Sequence, residues 1–426
     1  MKRFSCLLLS AFCLLFSACQ PVTPHHPNWC ADAVIYEVNV RQYTPEGTFE
    51  AFAAQLPRLK DLGVDILWLM PIHPIGTLER KGTLGSYYAV KDYKAVNPEF
   101  GTLDDFIRMV NKAHGMGFKV IIDWVPNHTS PDAVWSVHKD WYLTDSTGQF
   151  IIQYDWTDIA QLDYNNPEMR LAMIDAMLYW VKETRIDGFR CDVAWNVPVE
   201  FWEAAVKELK AVNPDLFMLA EAEEPPLQQK AFHVYYAWHL HSVMNRIAQG
   251  QADVHELRRA LDSMNRRFPT YTIPMLFTSN HDENSWQGTE FERMGEAART
   301  FAALTYLLPG MPLIYNGQEA GFNRRLAFFE KDEIDWSDPL DFTSFYRDLN
   351  RLRKANPALF SQEQGGLLVE IKNSAPEAVF SFERQVKGSK VTAIFNLTGK
   401  ARPHVTIEGY PEVDLQPWEY KIMGTR

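Results

Sequence analysis

Cysteine is scarce in this chain, with five among 426 residues. Three of them, Cys6, Cys13 and Cys19, lie close to the N-terminus, which leaves only Cys30 and Cys191 for the remainder. A disulfide framework or a cysteine-based metal site needs several cysteines at characteristic spacings. The sequence therefore predicts neither.

Basic residues are also in deficit, and the formal net charge is -12. A protein that binds the phosphate backbone of nucleic acid needs a basic surface, so nucleic acid is excluded as a partner. Hydrophobic residues make up 46% of the chain, enough for one large domain with a smaller one. Aromatic residues are plentiful, and we expect most of them in the core.

Long apolar runs are missing as well. Near the N-terminus, the apolar run Leu7–Phe16 is too short for a stable transmembrane span. It follows Lys2 and Arg3, as the apolar core of a secretory signal peptide does.

The residues that end this run, Phe16-Ser-Ala-Cys19, resemble the lipobox of bacterial lipoproteins. In those proteins cleavage before the cysteine leaves it lipid-modified at the new N-terminus. The resemblance predicts a signal peptide at 1–18 and a lipidated tether at 19–30. It implies export across the inner membrane and a lipid anchor at Cys19 on the periplasmic or outer face of a bacterial membrane. The alternative is an ordinary secretory signal with an accidental cysteine.

Beyond the tether, short apolar runs alternate with helical patterns. Several runs are continuously apolar, as strands buried on both faces are. Eight such strands with helices between them predict a (β/α)8 barrel, the TIM barrel, over 31–358 rather than a doubly wound sheet. The predicted strands are Val34–Val40, Ile66–Met70, Val120–Val125, Gly188–Asp192, Phe217–Glu221, His233–Tyr236, Met275–Thr278 and Pro312–Tyr315.

Two of the intervening helices have clear start signals. Thr102 and Asp105 form the pattern of a capping box. Asn166 and Pro167 combine an N-cap residue with a first-turn proline.

Two stretches depart from the alternation. Residues 128–161 are long for a loop between a strand and a helix, and loops of that length inside a domain are usually functional. From 359 to 426 the pattern alternates with period two, which predicts a small C-terminal antiparallel β domain.

Three carboxylates follow predicted strands directly: Asp192, Glu221 and Asp282. Groups at the carboxyl ends of parallel barrel strands converge on one pocket. Several acids in one pocket suit cleavage at an acetal carbon, where one acid donates a proton and a carboxylate meets the developing positive charge.

Period-two geometry distinguishes these acids from one another. In Gly188-Phe-Arg-Cys-Asp192, Arg190 and Asp192 share a face, and Cys191 points the other way. An inward arginine keeps its neighbouring aspartate ionised and oriented, as a nucleophile requires. The alternative is a structural salt bridge inside the barrel.

The acid after the fifth strand lies among other acids, which disfavours ionisation and suits a general acid. We favour Glu221, which follows the strand directly; Glu223 shares its face and is the second candidate. The alternative is a solvated acidic loop.

Two histidines complete the pattern. His128 ends the segment Asp123-Trp-Val-Pro-Asn-His128, and His281 precedes Asp282. His281 and Asp282 at one strand end can hydrogen-bond sugar hydroxyls, whereas Asp123 and His128 alone are weak evidence of function. A metal site is the lesser alternative, because no His-x-x-x-His pair is present.

Taken in order, these segments resemble the conserved regions of the α-amylase family of glycoside hydrolases. The match consists of Asp123 to His128, Gly188 to Asp192, Glu221 and Asn280-His281-Asp282, with support from Tyr88-Ala-Val-Lys-Asp92 and Pro309 to Glu319. The resemblance extends from about Val34 to the C-terminus. It implies a (β/α)8 barrel with a B domain after the third strand, here the short stretch 128–161, and a C-terminal β domain.

The resemblance also implies roles. Asp192 would be the nucleophile, Glu221 the acid/base and Asp282 the stabiliser of the transition state. Arg190 would orient Asp192. His128 and His281 would bind hydroxyls of the sugar at the cleavage site, and Tyr88 would stack on its ring.

The chain departs from the family at two places. Many members have a Lys-His pair where this chain has Trp195-Asn196, on the side of the leaving group. Many also hold a structural calcium through the equivalent of Asn127 and an acid at the end of the B domain, where this chain has Gln161. An amide is a poorer calcium ligand than a carboxylate, so no cofactor requirement is predicted, although calcium at Asn127 stays possible.

Three functions are compatible with this pattern. The first is a retaining α-glucan hydrolase that cleaves α-1,4 bonds of starch-derived sugars. The second is an α-glucan transglycosylase of the same family, with a sugar hydroxyl in place of water. The third is a non-catalytic glycan-binding protein, which would not need all three acids.

Overall fold

The computed structural model describes residues 26–423. The predicted signal peptide, most of the tether and Cys19 lie outside this range. Within it, no helix is both long enough and apolar enough to cross a membrane.

Eight parallel strands close into a barrel in sequential order, and β1 pairs with β8 through Ile35 and Leu313. This confirms the predicted TIM barrel. The seventh strand begins two residues before its predicted start. It therefore includes Pro274, even though proline cannot donate a hydrogen bond to a strand ladder. The strands are β1 (Ile35–Val38), β2 (Ile66–Leu69), β3 (Lys119–Trp124), β4 (Gly188–Cys191), β5 (Phe217–Ala220), β6 (Val234–Tyr236), β7 (Ile273–Leu276) and β8 (Met311–Tyr315).

The helices surround the barrel, and both predicted start signals are confirmed. Thr102 and Asp105 form the capping box, and Asn166 accepts from the backbone N–H groups of Glu168 and Met169. The main helices are α1 (Phe49–Leu62), α2 (Leu103–Gly115), α3 (Pro167–Thr184), α4 (Val199–Val212), α5 (Trp238–Ala248), α6 (Val254–Arg267), α7 (Ala298–Leu307) and α8 (Phe342–Ala355), with shorter ones at Val40–Tyr43 and Glu290–Met294.

The alternation of strand and helix is not uniform. A 3-10 turn at Pro225–Gln228 connects β5 to β6, whereas two helices separate β6 from β7. The two prolines that follow Glu224 explain the missing helix, because a proline inside a helix removes a backbone hydrogen bond. This short connection keeps the acidic segment after β5 at the mouth of the barrel.

Side chains alternate along the strands as period two requires. Ile121, Phe217 and Leu219 belong to a cluster inside the barrel, whereas Cys191 packs in the layer between barrel and helices. Arg190 is fully buried on the inner side, beside Trp68 and Tyr236.

The segment after β3 leaves the barrel and returns to it through a two-stranded ladder, in which His128 pairs with Gln161 and Thr129 with Ala160. The C-terminal part is antiparallel, as predicted, in a four-stranded and a two-stranded sheet. Arg384 fastens it to the barrel by donating to the carbonyl of Leu308, just before β8, and it also donates to the carbonyl of Phe360 within the C-terminal part. Its strands are β9 (Leu367–Glu370), β10 (Val379–Val386), β11 (Ser389–Asn396), β12 (Arg402–Ile407), β13 (Tyr410–Leu415) and β14 (Tyr420–Met423).

Candidate active site

A cleft of about 1100 Å³ opens at the carboxyl ends of the barrel strands. It brings together six of the residues that the sequence predicts for the site: Tyr88, His128, Asp192, Glu221, His281 and Asp282. Arg190 lies beneath the cleft, fully buried, and Asn127 lies behind His128. The runner-up acid, Glu223, also lines the cleft, beside Glu224.

Arg190 is the centre of the acidic cluster. Its Nη1 donates to Asp123 Oδ1 at 2.8 Å and to Asp192 Oδ1 at 2.9 Å, and its Nη2 lies 2.9 Å from Glu221 Oε1. Its Nε donates to the Tyr236 hydroxyl at 3.1 Å. One guanidinium therefore fixes the positions of Asp192 and Glu221 relative to each other.

Glu221 has a second support from the backbone. The Val193 N–H donates to Glu221 Oε2 at 2.7 Å. Glu223 instead accepts from the His239 N–H at 2.8 Å and lies 3.8 Å from Arg267, away from Arg190. The contacts distinguish the two glutamates, since Glu221 alone shares the guanidinium with Asp192.

Opposing effects act on the ionisation of Asp192. Burial and the charge of Glu221 raise the pKa of Asp192 well above its ordinary value, whereas Arg190 lowers it. Arg190 therefore acts in the predicted direction, but burial and the charge of Glu221 outweigh its effect. Arg190 is shared among three carboxylates, and its single charge does not offset their mutual repulsion and desolvation.

A different arrangement surrounds Asp282. His281 lies between two acids, with its Nδ1 at 2.5 Å from Glu37 Oε1 and its Nε2 at 3.2 Å from Asp282 Oδ2. Burial opposes the charge on His281, but Asp282 and Glu37 raise its pKa well above the ordinary value. In turn, the His281 charge outweighs burial and lowers the pKa of Asp282.

Tyr88 connects the two halves of the cluster. Its hydroxyl donates to Asp123 Oδ2 at 3.0 Å and lies 2.7 Å from His281 Nε2. Its ring stacks on the His281 ring, with centroids 5.4 Å apart and planes 20° apart. The hydrogen bonds hold the phenol ring at the wall of the cleft.

His128 hydrogen-bonds the backbone of Tyr88, and burial lowers its pKa to about 4. It is therefore neutral near pH 7, as a hydrogen-bonding partner for a sugar hydroxyl would be. Its Nδ1 lies 3.1 Å from Asn127 Nδ2.

The residues around Asn127 do not fit a calcium ion. The Asn127 side-chain oxygen accepts from Asn196 Nδ2 at 2.8 Å, so an N–H group occupies the place where a cation would bind. The opposite position is the amide of Gln161. Among residues 26–423, no group of three or more His, Cys, Asp or Glu is arranged to hold a metal.

The sequence patterns missed several residues of the cleft. Glu37 is a fully buried acid in a strand whose other residues are hydrophobic. An acid within an apolar run is the sequence feature that could have indicated a residue of the site. Asp123 appeared only as part of a motif, yet it contacts Arg190, Tyr88 and Trp68. Trp286, in the π-helical turn Glu283–Gln287, and the loop residues Phe328 and Phe329 also line the cleft, and none of them belongs to a distinctive sequence pattern.

The chain folds into a closed barrel of eight parallel strands, with acids from different strand ends in one cleft. This is the arrangement of the active site in TIM-barrel enzymes. The protein-family model for the alpha-amylase catalytic domain matches the sequence over residues 28–140 and 136–364. The chain therefore belongs to the α-amylase family of glycoside hydrolases.

Individual relatives agree with this assignment. Alpha-amylase MalA of Haloarcula japonica is 28% identical over 416 residues, which cover 93% of this chain and 60% of the relative. An alpha-1,4-glucan:maltose-1-phosphate maltosyltransferase of Rhodospirillum rubrum is 29% identical over 371 residues, which cover 77% of this chain and 52% of the relative. The chain thus spans between half and two thirds of the length of these two proteins.

A solved structure is similar over nearly its full length. The crystal structure of an alpha-amylase from Lactobacillus plantarum superposes with a TM-score of 0.80 at 34% sequence identity. The match covers 87% of this chain and 90% of that one.

Proposed function

We propose that this protein is a retaining α-glucan hydrolase that cleaves α-1,4-glucosidic bonds of starch-derived oligo- or polysaccharides. The observation that carries the proposal is the contact of one guanidinium, Arg190, with both Asp192 and Glu221 at 2.9 Å, at the floor of an open cleft. Two carboxyl groups held so near each other fit the retaining mechanism, in which they lie roughly 5–5.5 Å apart. The names of the haloarchaeal and Lactobacillus relatives support the substrate class.

In the proposed reaction Glu221 protonates the glycosidic oxygen. An oxygen of the Asp192 carboxylate forms a bond to the anomeric carbon while the bond to the leaving sugar breaks. Water then attacks the anomeric carbon and gives its proton to Glu221, and the ester bond to Asp192 breaks. Asp282, which stays ionised beside His281, stabilises the positive charge of both transition states.

Proton NMR during turnover of a maltooligosaccharide tests this proposal. We expect the new reducing end to appear first as the α-anomer, and we expect no turnover of α-1,6- or β-1,4-linked glucans. A β-anomer as first product would refute retention. Absence of turnover on every α-glucan would leave the non-catalytic glycan-binding function.

Paired glutamine variants test the choice of acid. Glu221→Gln should lower kcat by roughly 10²–10⁴-fold, as loss of general acid–base catalysis does. Glu223→Gln is the matched control, and its kcat should stay within a few-fold of the wild type. The reverse ranking would assign the acid role to Glu223.

A transglycosylase is the second candidate, favoured by the similarity to the Rhodospirillum maltosyltransferase. In that case a sugar hydroxyl replaces water in the second step. Products longer than the starting oligosaccharide, formed early in the reaction and in preference to free reducing ends, would establish this function.

We propose in addition that Cys19 holds a lipid that anchors the enzyme to a bacterial membrane. The support is the sequence alone, namely the short apolar run that ends at Phe16-Ser-Ala-Cys19. Expression in a bacterial host should place the wild type in the membrane fraction and a Cys19→Ala variant in the soluble fraction. Mass spectrometry of the N-terminal peptide would identify the lipid; an unmodified Cys19 would favour the ordinary secretory signal.

A further inference from the structure

Asp282 lies at the start of a rare element of backbone structure. It immediately precedes a π-helical turn, Glu283–Gln287, in which the Gly288 N–H donates to the Glu283 carbonyl at 2.8 Å. The same turn includes Trp286, which lines the cleft. π-helical turns are uncommon in proteins, and they occur frequently at functional sites. The contacts that hold this turn therefore bear on the position of Asp282 in the cleft.

One buried arginine contacts both ends of the segment 278–288, which contains this turn. Arg293 Nη2 donates to the Thr278 carbonyl at 2.5 Å, just after the end of β7. Arg293 Nε donates to the Gly288 carbonyl at 2.9 Å, directly after the last residue of the turn. The guanidinium therefore sets the distance between the place where the chain leaves β7 and the place where the π-helical turn ends.

The guanidinium is itself held by α5. Its Nη1 donates to Asn245 Oδ1 at 2.7 Å, and the side-chain amide of Gln249, directly after α5, donates to the Arg293 carbonyl at 3.2 Å. A guanidinium presents its donors in one rigid plane, so its position fixes the acceptors that it contacts. The carbonyls of Thr278 and Gly288 are thus located relative to a helix that surrounds the barrel.

Arg293 also supplies a positive charge beside this segment. Its Nη1 lies 3.6 Å from Glu283 Oε2 and 3.3 Å from His241 Nε2. Burial and the charge of Arg293 lower the pKa of His241 to about 3, so His241 is neutral near pH 7. Arg293 rather than His241 is therefore the cation that faces Glu283, the residue next to Asp282.

We propose that Arg293 is a positioning residue for Asp282, which it holds in place by bridging the end of β7 and the end of the π-helical turn. This inference rests on the proposed function, in which Asp282 stabilises the positive charge of the transition state. Arg293 is not among the residues that line the cleft, so it acts through the backbone carbonyls of Thr278 and Gly288. A misplacement of about 1 Å can cost on the order of 100-fold in rate, so a small shift of this segment is enough to lower kcat.

Replacing the guanidinium by an ammonium group tests the bridge and keeps the charge. Arg293→Lys presents a single point donor, which cannot contact the Thr278 and Gly288 carbonyls together as the planar fork does. We expect kcat on a maltooligosaccharide to fall roughly 10- to 100-fold, with KM within a few-fold of the wild type. Circular dichroism at the assay temperature checks that the variant is folded. A kcat within about twofold of the wild type would overturn the inference.

A double-mutant cycle tests whether Arg293 acts through Asp282. The substrate is α-maltosyl fluoride, whose activated leaving group keeps slow variants measurable. Residues that act as a unit have non-additive effects, so adding Arg293→Lys to Asp282→Asn should lower kcat by less than about threefold. Losses that multiply in the double variant would overturn the inference, because Arg293 would then act independently of Asp282.

Arg384→Lys is the matched control. Arg384 is also buried and also donates to backbone carbonyls, but it does so where the C-terminal part meets the barrel. It should lower Tm and leave kcat within a few-fold of the wild type. A loss of kcat equal to that of Arg293→Lys would mean that any buried arginine affects turnover through stability, and it would overturn the inference.

A milder variant applies if Arg293→Lys does not fold. Asn245→Leu removes the acceptor that holds Arg293 Nη1, so kcat should fall several-fold while KM stays within a few-fold of the wild type. An unchanged kcat in a folded Asn245→Leu variant would overturn the inference. A wild type that turns over neither the maltooligosaccharide nor α-maltosyl fluoride would refute the proposed function, and the inference with it.

Discussion

Asp192 and Asp282 line the same cleft, but their surroundings have opposite electrostatic effects. Asp192 shares one guanidinium with Asp123 and Glu221, and burial with the neighbouring negative charge raises its pKa. Asp282 neighbours a histidine cation, which lowers its pKa. On the proposed roles, the acid that forms and breaks a covalent bond lies where its charge is costly, whereas the acid that stabilises the transition state lies where its own charge is favoured.

Replacing Asp192 should have the largest effect. For Asp192→Asn we expect kcat to fall more than about a thousandfold, because loss of a covalent nucleophile removes the reaction path. Calorimetric titration with a maltooligosaccharide should show binding within a few-fold of the wild type. Residual turnover above about one per cent would contradict the assignment of Asp192 as nucleophile.

Removing the negative charge of Glu37 beside His281 should have a smaller effect, and it should change the pH dependence of kcat. Glu37→Gln deletes one of the two acids that raise the pKa of His281, so that pKa should fall. We expect the alkaline limb of the kcat profile to move to lower pH, with roughly a tenfold loss of kcat at pH 8. Glu37 acts here as a positioning residue, through His281.

Glu319→Gln is the control for that variant. Glu319 is as buried as Glu37, but it bonds Tyr36 and Arg58 away from the cleft. It should lower thermal stability and leave the shape of the pH profile unchanged. A Glu37→Gln profile with the same shape as the wild type would remove Glu37 from the catalytic arrangement.

The two aspartates should also differ in the sign of their effect on stability. The raised folded-state pKa of Asp192 costs stability as the pH rises above about 3.9, the unfolded value, so Asp192→Asn should raise Tm at pH 7. The lowered pKa of Asp282 contributes stability above that value and loses it as the pH falls through the folded pKa, so Asp282→Asn should lower Tm at pH 7.

Scanning calorimetry at pH 7 and pH 4 measures both shifts, which should amount to a few degrees at pH 7. At pH 4 the rise for Asp192→Asn should shrink, whereas most of the fall for Asp282→Asn should remain, because pH 4 lies above the folded pKa of Asp282. Asp348→Asn, at an exposed acid outside the cleft, is the control and should leave Tm unchanged. Shifts of the same sign for Asp192→Asn and Asp282→Asn would contradict the electrostatic difference between the two halves.

Chelation should have the smallest effect. Because the amide of Asn196 already satisfies the oxygen of Asn127, we propose that the enzyme needs no calcium at this place. Excess EDTA should change Tm by less than about 1 °C, and added calcium should not raise it. A fall of several degrees with EDTA, reversed by calcium, would show that a cation holds Asn127 instead.

Patterns local in sequence predicted the barrel and most of the cleft. Apolar runs gave the strands, and period two assigned Arg190 and Asp192 to one face and Cys191 to the other. The position directly after β5 singled out Glu221, and Glu221 is the glutamate that contacts Arg190. These features depend on residues that are near each other along the chain.

Features that depend on barrel closure could not be predicted in this way. Glu37 and His281 are 244 positions apart, and they meet only because β1 closes the barrel between β8 and β2. The direction of the pKa shift of Asp192 likewise depends on Glu221 from the next strand and on burial. The link of Asn196 to Asn127 and Gln153 joins three separate loops.

The ladder at the base of the insertion has a consequence for engineering. His128 and Thr129 pair with Gln161 and Ala160, so the insertion leaves the barrel and rejoins it at hydrogen-bonded neighbours. The ladder therefore sets the distance between its two ends. A loop grafted between Thr129 and Ala160 would inherit this spacing, but it would also have to replace the packing of Trp135 and Trp141 on the barrel and the contact of Asp140 with Asn166 at the start of α3.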